Sequence, residues 1–577
     1  MNRWNLDALY ASFEDPAYAR DLALLKEKHE ALSACRLETS EKALEMYLTM
    51  SLEIEALSEK LYMYPTLVLA ANTADDKALK ATDQINELLA SFVSEDVQNE
   101  KWIATFDLET CQSLLIKEHL YILKEIQENQ KHTLDEKSES LIAHMKNTGS
   151  YAWAKYKDQL VSSIKITIDG KEMPLTEALN QAYSPDKETR KKAYFAEVNG
   201  YKDSEQGIAA SLNAIKGEVL YTTKLRGYDS VLDMTCEQSR LSRKTLDTLL
   251  DVMKANMDVF RDYLQAKAHA LGYSKGLPWY ELYAPVVKDE STYSYEQGCD
   301  FVKKHFSSFS LHMGAYATRA INEHWIDIYP RVGKVGGAFC ENIMSLKESR
   351  FLLNYGDHFS DMITMAHELG HGFHGECLKD ESLLNTSYPM PIAETASTFC
   401  ETIVTQAALK EADDQQKLAI LENSLCDATQ VIVDIYSRFL FESHFFDKRK
   451  EGALSVEEIK TLMLEAQKEA YGYGMDEDYL HPYMWTWKPH YYDPDYSFYN
   501  FPYAFGLLLA KGLYHLYQQE GSSFAKTYEY FLSLTGKEDL EDVAKSIGID
   551  LRDPAFWQGS IDVLKEDVLR FKELLNK

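Results

Sequence analysis

Residues 361–376 read Asp-Met-Ile-Thr-Met-Ala-His-Glu-Leu-Gly-His-Gly-Phe-His-Gly-Glu, an H-E-x-x-H pentapeptide in helical text. At 3.6 residues per turn, His367 and His371 stack on one helix face, so two imidazoles can close on one tetrahedral ion. Glu368 lies about 100° further round, beside such an ion without binding it, where it suits a base that takes a proton from water. Ser360 is the expected N-cap, Asp361 falls in the first turn, and Gly375 is the expected stop. The bland alternative is a helix carrying two surface histidines.

A catalytic zinc site wants three protein ligands and an open position. In the extended zincin pattern the third would be a histidine at position 377, which here is Cys377, and the intervening glycine is replaced by His374. The other donor type is a glutamate on a second helix. Pro391-Ile-Ala-Glu394-Thr-Ala-Ser-Thr-Phe-Cys-Glu401 begins such a helix, with proline in its first turn. The 22 residues between His371 and Glu394 allow the first helix to end and the second to pack beside it. His374 shares the face of His371 and is the rival ligand, although packing or support of the ligands suits it better. Thr398 and Glu401, one and two turns past Glu394, are candidates to hold a ligand imidazole in one tautomer.

The rest of the chain reads as mainly α. Long amphipathic helices are expected between Asp15 and about Leu160, for example Ala43–Lys60 and Cys111–Lys131. Strict alternation from Ser163 runs into Asp169-Gly170, a preferred hairpin turn, which predicts a small β-hairpin over 163–173. Helix resumes at Lys187, and a domain boundary is expected near residue 195, giving a helical N-terminal domain over 1–195 and a catalytic domain over 196–577. Strands are expected at Trp325–Tyr329, Lys334–Phe339 and Arg350–Asn354, with Gly336 and Gly337 marking a backbone that something approaches closely. Beyond Ser360 the pattern is helical again, apart from an aromatic, loop-rich stretch between Leu480 and Tyr503.

Composition narrows the partners. With 61 basic and 91 acidic side chains the formal charge is −30, which repels phosphate backbones and anionic membranes, so neither nucleic acid nor a membrane surface is expected. No apolar run approaches the ~20 residues that cross a bilayer, and no secretion signal is visible at the N-terminus. Eight cysteines scattered without a C-x-x-C pair match reduced thiols, and a cytoplasmic protein is expected.

The pentapeptide, the Ile392–Glu401 segment and Asp327-Ile-Tyr-Pro-Arg-Val-Gly-Lys-Val-Gly-Gly-Ala-Phe-Cys340 together resemble the thimet oligopeptidase and oligoendopeptidase F group of zinc metallopeptidases, the oligoendopeptidase F branch most of all. The resemblance implies a large helical, gluzincin-type body with a small β-sheet beside the H-E-x-x-H helix and a helical N-terminal domain, enclosing a deep channel. It implies one zinc ion per chain held by His367, His371 and Glu394, water activated by Glu368, and short peptides as substrates.

Thirty-seven tyrosines is about twice ordinary usage, and several cluster around His490, Tyr496, Tyr499 and Tyr503. Packing alone would account for them. Peptide hydrolysis, however, passes through an oxyanion that a histidine or tyrosine donor stabilises. The resemblance assigns His490, Tyr496 and Tyr503 to that role and Tyr499 to substrate contact; on a helix Tyr496 and Tyr503 would share one face with Tyr499 nearby. Gly336-Gly337-Ala338 is expected as an edge strand that pairs with substrate backbone, against a plain bulge or turn. The expected activity is zinc-dependent endopeptidase action on short oligopeptides. An aminopeptidase using Glu341 to hold a free amine, and a catalytically silent peptide-binding protein, are the alternatives. The sequence leaves the oligomeric state open.

Overall fold

The computed structural model describes residues 2–287 and 291–577. Helices dominate, joined by a two-stranded hairpin and a three-stranded sheet. Contacts divide the chain into two compact units, each assembled from three segments: 1–132, 291–407 and 516–549 in the first, and 133–290, 408–515 and 550–577 in the second. Residue 195, the expected boundary, lies inside the Lys187–Gly200 helix, whose Asp186 cap accepts from the Thr189 amide. Helical patterning alone does not reveal which distant segments share a core.

In the first unit, helices Pro16–Ala31, Glu41–Ala71 and Asp76–Ile103 start at Asp15, Ser40 and Asp75, each with its side chain accepting from first-turn amides. Their buried Leu25, Leu61, Leu67 and Ile85 share a core with Ile343 and Leu352 of the sheet. Polar contacts seal the same junction: Glu59 accepts from the Met344 and Ser345 amides at 2.8 and 2.7 Å, and buried Arg350 donates to the Asn5 carbonyl at 2.7 Å. The expected 43–60 helix is thus the inner part of a longer one. The expected 111–131 helix is instead broken into Leu114–Glu118 and Leu120–Gln130. At the break, buried His119 sits 2.8 Å from the Leu115 carbonyl and 2.6 Å from Ser382 Oγ, so its ring competes with the helical ladder.

The sheet runs β3 (Ile326–Asp327), β5 (Glu348–Leu352), β4 (Phe339–Ile343), with β3 parallel and β4 antiparallel to central β5. Phe339 pairs with Leu352, and Ile343 with Glu348, which makes β4 an edge strand. The expected strand over Lys334–Phe339 begins only at Phe339. Upstream, the buried Asp327 carboxylate pairs with Arg331 at 2.5 Å and Lys334 at 2.7 Å, and Lys334 also donates to the Tyr329 carbonyl at 3.0 Å. This closes a tight loop, and Gly337 then turns with φ +80°. Gly336 and Gly337 are therefore bend residues, and Ala338 leads into the edge strand without being a member of it.

In the second unit, β1 (Lys165–Ile168) and β2 (Lys171–Pro174) form the expected hairpin. Asp169 and Gly170 both take positive φ, +49° and +78°, as a type I′ turn requires. Ion pairs are buried in its helical core, including Lys216 with Glu442 at 2.6 Å. All eight cysteines are free, and no described helix is long and apolar enough to cross a membrane.

Candidate active site

The helix that carries the pentapeptide spans Phe359–Leu378. Its cap is His358 rather than Ser360: Asp361, the third helical residue, reaches back to accept from the His358 amide at 2.9 Å, while the Asp361 amide donates to the His358 carbonyl at 3.1 Å. Nor does Gly375 end the helix. A Cβ there would stand 2.5 Å from the Asn342 side chain, so the glycine is needed for close packing against β4. Gly370 answers the same need on another face, where a Cβ would lie 2.7 Å from the Ala396 carbonyl and Ser397 Cα. That contact brings the Met390–Glu411 helix, with Pro391 in its first turn as expected, against the pentapeptide.

The approach gathers three donors. The His367 and His371 Nε2 atoms are 3.1 Å apart, and Glu394 Oε2 lies 3.3 Å from the first and 3.5 Å from the second. Tetrahedral zinc with bonds of ~2.0–2.1 Å needs ligand atoms about 3.3–3.4 Å apart, so the triangle has the right size. Among the described residues these three form the one group able to hold an ion, and none of them is fully buried.

Neighbouring groups orient the three donors. Glu401 Oε1 lies 2.5 Å from His367 Nδ1, so of the two candidates Glu401 holds this imidazole with Nε2 turned toward its partners. The Ala393 carbonyl accepts from the His371 ring, and Asn342 donates to the His371 carbonyl at 3.0 Å. Ser397 Oγ donates to Glu394 Oε2 at 3.0 Å. His374 is turned away from the group: it is fully buried, stacked on Tyr388 at 4.0 Å, with Nε2 2.8 Å from Thr535 Oγ1. It packs the helix and is not part of the donor triangle. Glu368 is 6% exposed. Burial, opposed by His367 and reinforced by Glu394 and Glu401, pushes its carboxyl up to about 7, which suits a group that must both take and give a proton near neutral pH.

The aromatic stretch lies in the second unit and divides into two classes. Tyr483, Trp485, Tyr491 and Tyr492 are buried and serve packing. His490, Tyr496, Tyr499 and Tyr503 are partly exposed and touch one another: His490 stacks on Tyr499 at 4.8 Å, Tyr503 lies 6.2 Å from His490, and Tyr496 meets Tyr499 edge-on at 5.5 Å. The segment is not the helix that the spacing required; Tyr496 and Tyr499 sit in a loop, where Phe498 takes φ +54°, and only Tyr503 is in the Phe501–Glu520 helix. Tyr496 Oη is held 2.6 Å from Ser239 Oγ. Burial, together with the Arg438 and Lys488 cations, lowers His490 to about 4, so its ring is neutral at neutral pH. Sequence reasoning missed Asn342 and Tyr388, which no spacing rule connects to the pentapeptide.

Group B oligopeptidase PepB of Streptococcus agalactiae is 23% identical over 594 aligned residues, covering 100% of this chain and 97% of the relative. An oligoendopeptidase F homolog of Lactococcus lactis is 24% identical, also over 100% of this chain and 97% of its own length. A solved structure from Chlamydophila abortus matches with TM-score 0.87 at 22% identity, covering 99% of this chain and 98% of that one. Oligoendopeptidase-F from Enterococcus faecium matches with TM-score 0.68 at 18% identity, covering 97% and 98%. At these identities the structures speak for the fold. The oligopeptidase F sequence profile matches residues 103–166, and that of peptidase family M3 matches residues 180–563, about two thirds of the chain. With the histidine and glutamate triangle at its centre, the chain belongs to peptidase family M3 and is a peptidase.

Proposed function

We propose that this peptidase is a zinc-dependent endopeptidase acting on short oligopeptides. The observation that carries the reading is the triangle of His367, His371 and Glu394 donors, sized for tetrahedral zinc, with the buried carboxyl of Glu368 next to it. His367, His371 and Glu394 would hold the ion, which when bound supplies Lewis-acid activation of water and of the scissile carbonyl. Glu368 takes the proton from the attacking water and passes it to the leaving amine. Glu401 keeps the His367 ring in one tautomer throughout. To His490 and to a tyrosine of its cluster, Tyr496 or Tyr503, we assign hydrogen-bond donation to the oxyanion, with Tyr499 in substrate contact. Gly336, Gly337 and Ala338 are assigned to substrate backbone, the open space beside Gly336 and Gly337 leaving room for a chain alongside. The preference for short peptides rests on the enclosed channel implied by the family likeness. The free thiols fit a cytoplasmic setting.

The test is mass spectrometry of unblocked and N-acetylated peptides of graded length, with and without a zinc chelator, alongside metal analysis of the purified protein. Internal, chelator-sensitive cuts in short peptides of both kinds are expected. Loss of cutting on N-acetylation would instead establish an aminopeptidase, and absence of cutting with zinc bound would point to a binding protein.

A further inference from the structure

Within the second unit lies a cavity of about 290 Å³ that the reading above does not use. Its size is near the lower end of small-ligand pockets, ~300–1,000 Å³. Tyr183, Tyr194, Trp279, Leu282, Tyr283 and Trp487 supply largely apolar walls, with the Tyr183 and Tyr283 rings 4.6 Å apart.

Three polar groups in these walls are donors left without a partner. Arg190 Nε, Gln430 Nε2 and Trp487 Nε1 are buried donors with no acceptor. Arg190, only 4% exposed, is fixed by its two terminal nitrogens, which donate to the Ser184 carbonyl and to Glu281, leaving Nε unused. Gln430 opens a π-helical turn over Gln430–Asp434, a rare widening of the helix that is frequent at functional sites. Lys488 brings a cation: its Nζ rests 4.0 Å from the Trp487 ring centre, and among the described residues no carboxylate pairs with it. Glu197, the one carboxylate in the wall, is engaged by Tyr201 at 3.0 Å and His481 at 3.1 Å. Burial and the Arg438 cation lower Lys488 to about 8, against the opposing Asp434 and Glu197 carboxylates, so it is still mostly protonated at neutral pH.

Buried donors left unpaired are costly and uncommon in folded proteins, and several in one apolar cavity call for an acceptor from outside. One unpaired cation balances one negative charge, and aromatic walls favour an apolar body over a highly charged phosphate. We propose that this cavity binds a carboxylate carried on an aromatic or large aliphatic residue, as at the C-terminus of a short peptide; the peptide identity rests on the peptidase reading.

Isothermal titration of the full-length protein with N-acetylphenylalanine and with its amide tests this, with and without chelator. The acid should bind one to one and at least tenfold more tightly than the amide, whether or not metal is present. Lys488→Met and Gln430→Leu should each weaken the acid about tenfold, Lys488→Met should leave the amide unchanged, and Lys488→Arg should restore binding. Ala182→Leu, which adds bulk at a lining position without removing a donor, should weaken both probes. Equal binding of acid and amide, no binding, or acid binding that is lost with chelator and indifferent to Lys488→Met would overturn the proposal. Since cutting is not measured, failure here leaves the endopeptidase test unaffected, and failure there leaves this binding result intact.

Discussion

On the proposed zinc site, Glu401 and Glu368 carry roles that the three donors alone do not supply. Glu401 Oε1, 2.5 Å from His367 Nδ1, holds that ring and, on the proposed zinc site, would make its other nitrogen a more basic ligand; groups of this kind are typically worth 10- to 100-fold in metal affinity. Glu401→Gln is expected to weaken zinc by about that factor in competition with a chromogenic chelator; unchanged affinity would remove the orienting role. Glu368→Gln keeps the side chain's shape and, lying outside the ligand triangle, should leave bound metal unchanged. It should lower kcat by a factor on the order of 10²–10⁴, the usual contribution of a positioned base. Full activity in that variant would refute the assignment.

Two glycines and a charged cluster do comparable work between elements. At Gly370 a side chain would meet backbone of the Glu394 helix 2.7 Å away, and backbone cannot swing aside as a flexible side chain does. Gly370→Val should cost about 1–3 kcal/mol by overpacking and weaken metal binding as Glu394 is pushed outward, read by thermal melting and chelator competition. On the same helix buried Glu376 accepts from Arg319 at 2.8 Å, Lys379 at 2.7 Å and His312 at 3.2 Å, and His312 also meets Glu529 at 3.2 Å. The hydrogen bonds with Glu376 and Glu529 raise His312 from 6.5 to about 9, against the opposing effect of burial. A raised folded-state value means that its stabilisation is complete below pH 6.5 and is lost as pH climbs through about 9. The melting difference between wild type and His312→Gln should therefore be largest near pH 6 and vanish above about 9 to 10. A difference independent of pH would show that packing rather than charge is responsible.

For the whole molecule, the chain path matters more than any local pattern. Each unit draws on three separated segments, and residues 1–132 share a core with the sheet beside the pentapeptide helix. A fragment of residues 196–577 lacks that covering, exposing Ile343 and Leu352. It should be insoluble or molten when expressed alone, with weak near-ultraviolet circular dichroism; a cooperative melt would contradict this account.

The predominance of helix, the hairpin at Asp169-Gly170 and the pairing of His367 with His371 on one helix face were legible in the sequence, because each rests on short-range geometry: a helical period, a turn dipeptide, a four-residue spacing. Packing decided the rest. Asn342 and Tyr388, the discontinuous units, the break at His119 and the buried role of His374 depend on which distant segments meet. Gly375 looked like a helix stop, yet it and Gly370 are contact points where a side chain would collide with Asn342 and with the Glu394 helix, and the three donors meet because those elements approach closely. Helical period is a property of neighbours along the chain, whereas a metal triangle and its supports are properties of neighbours in space.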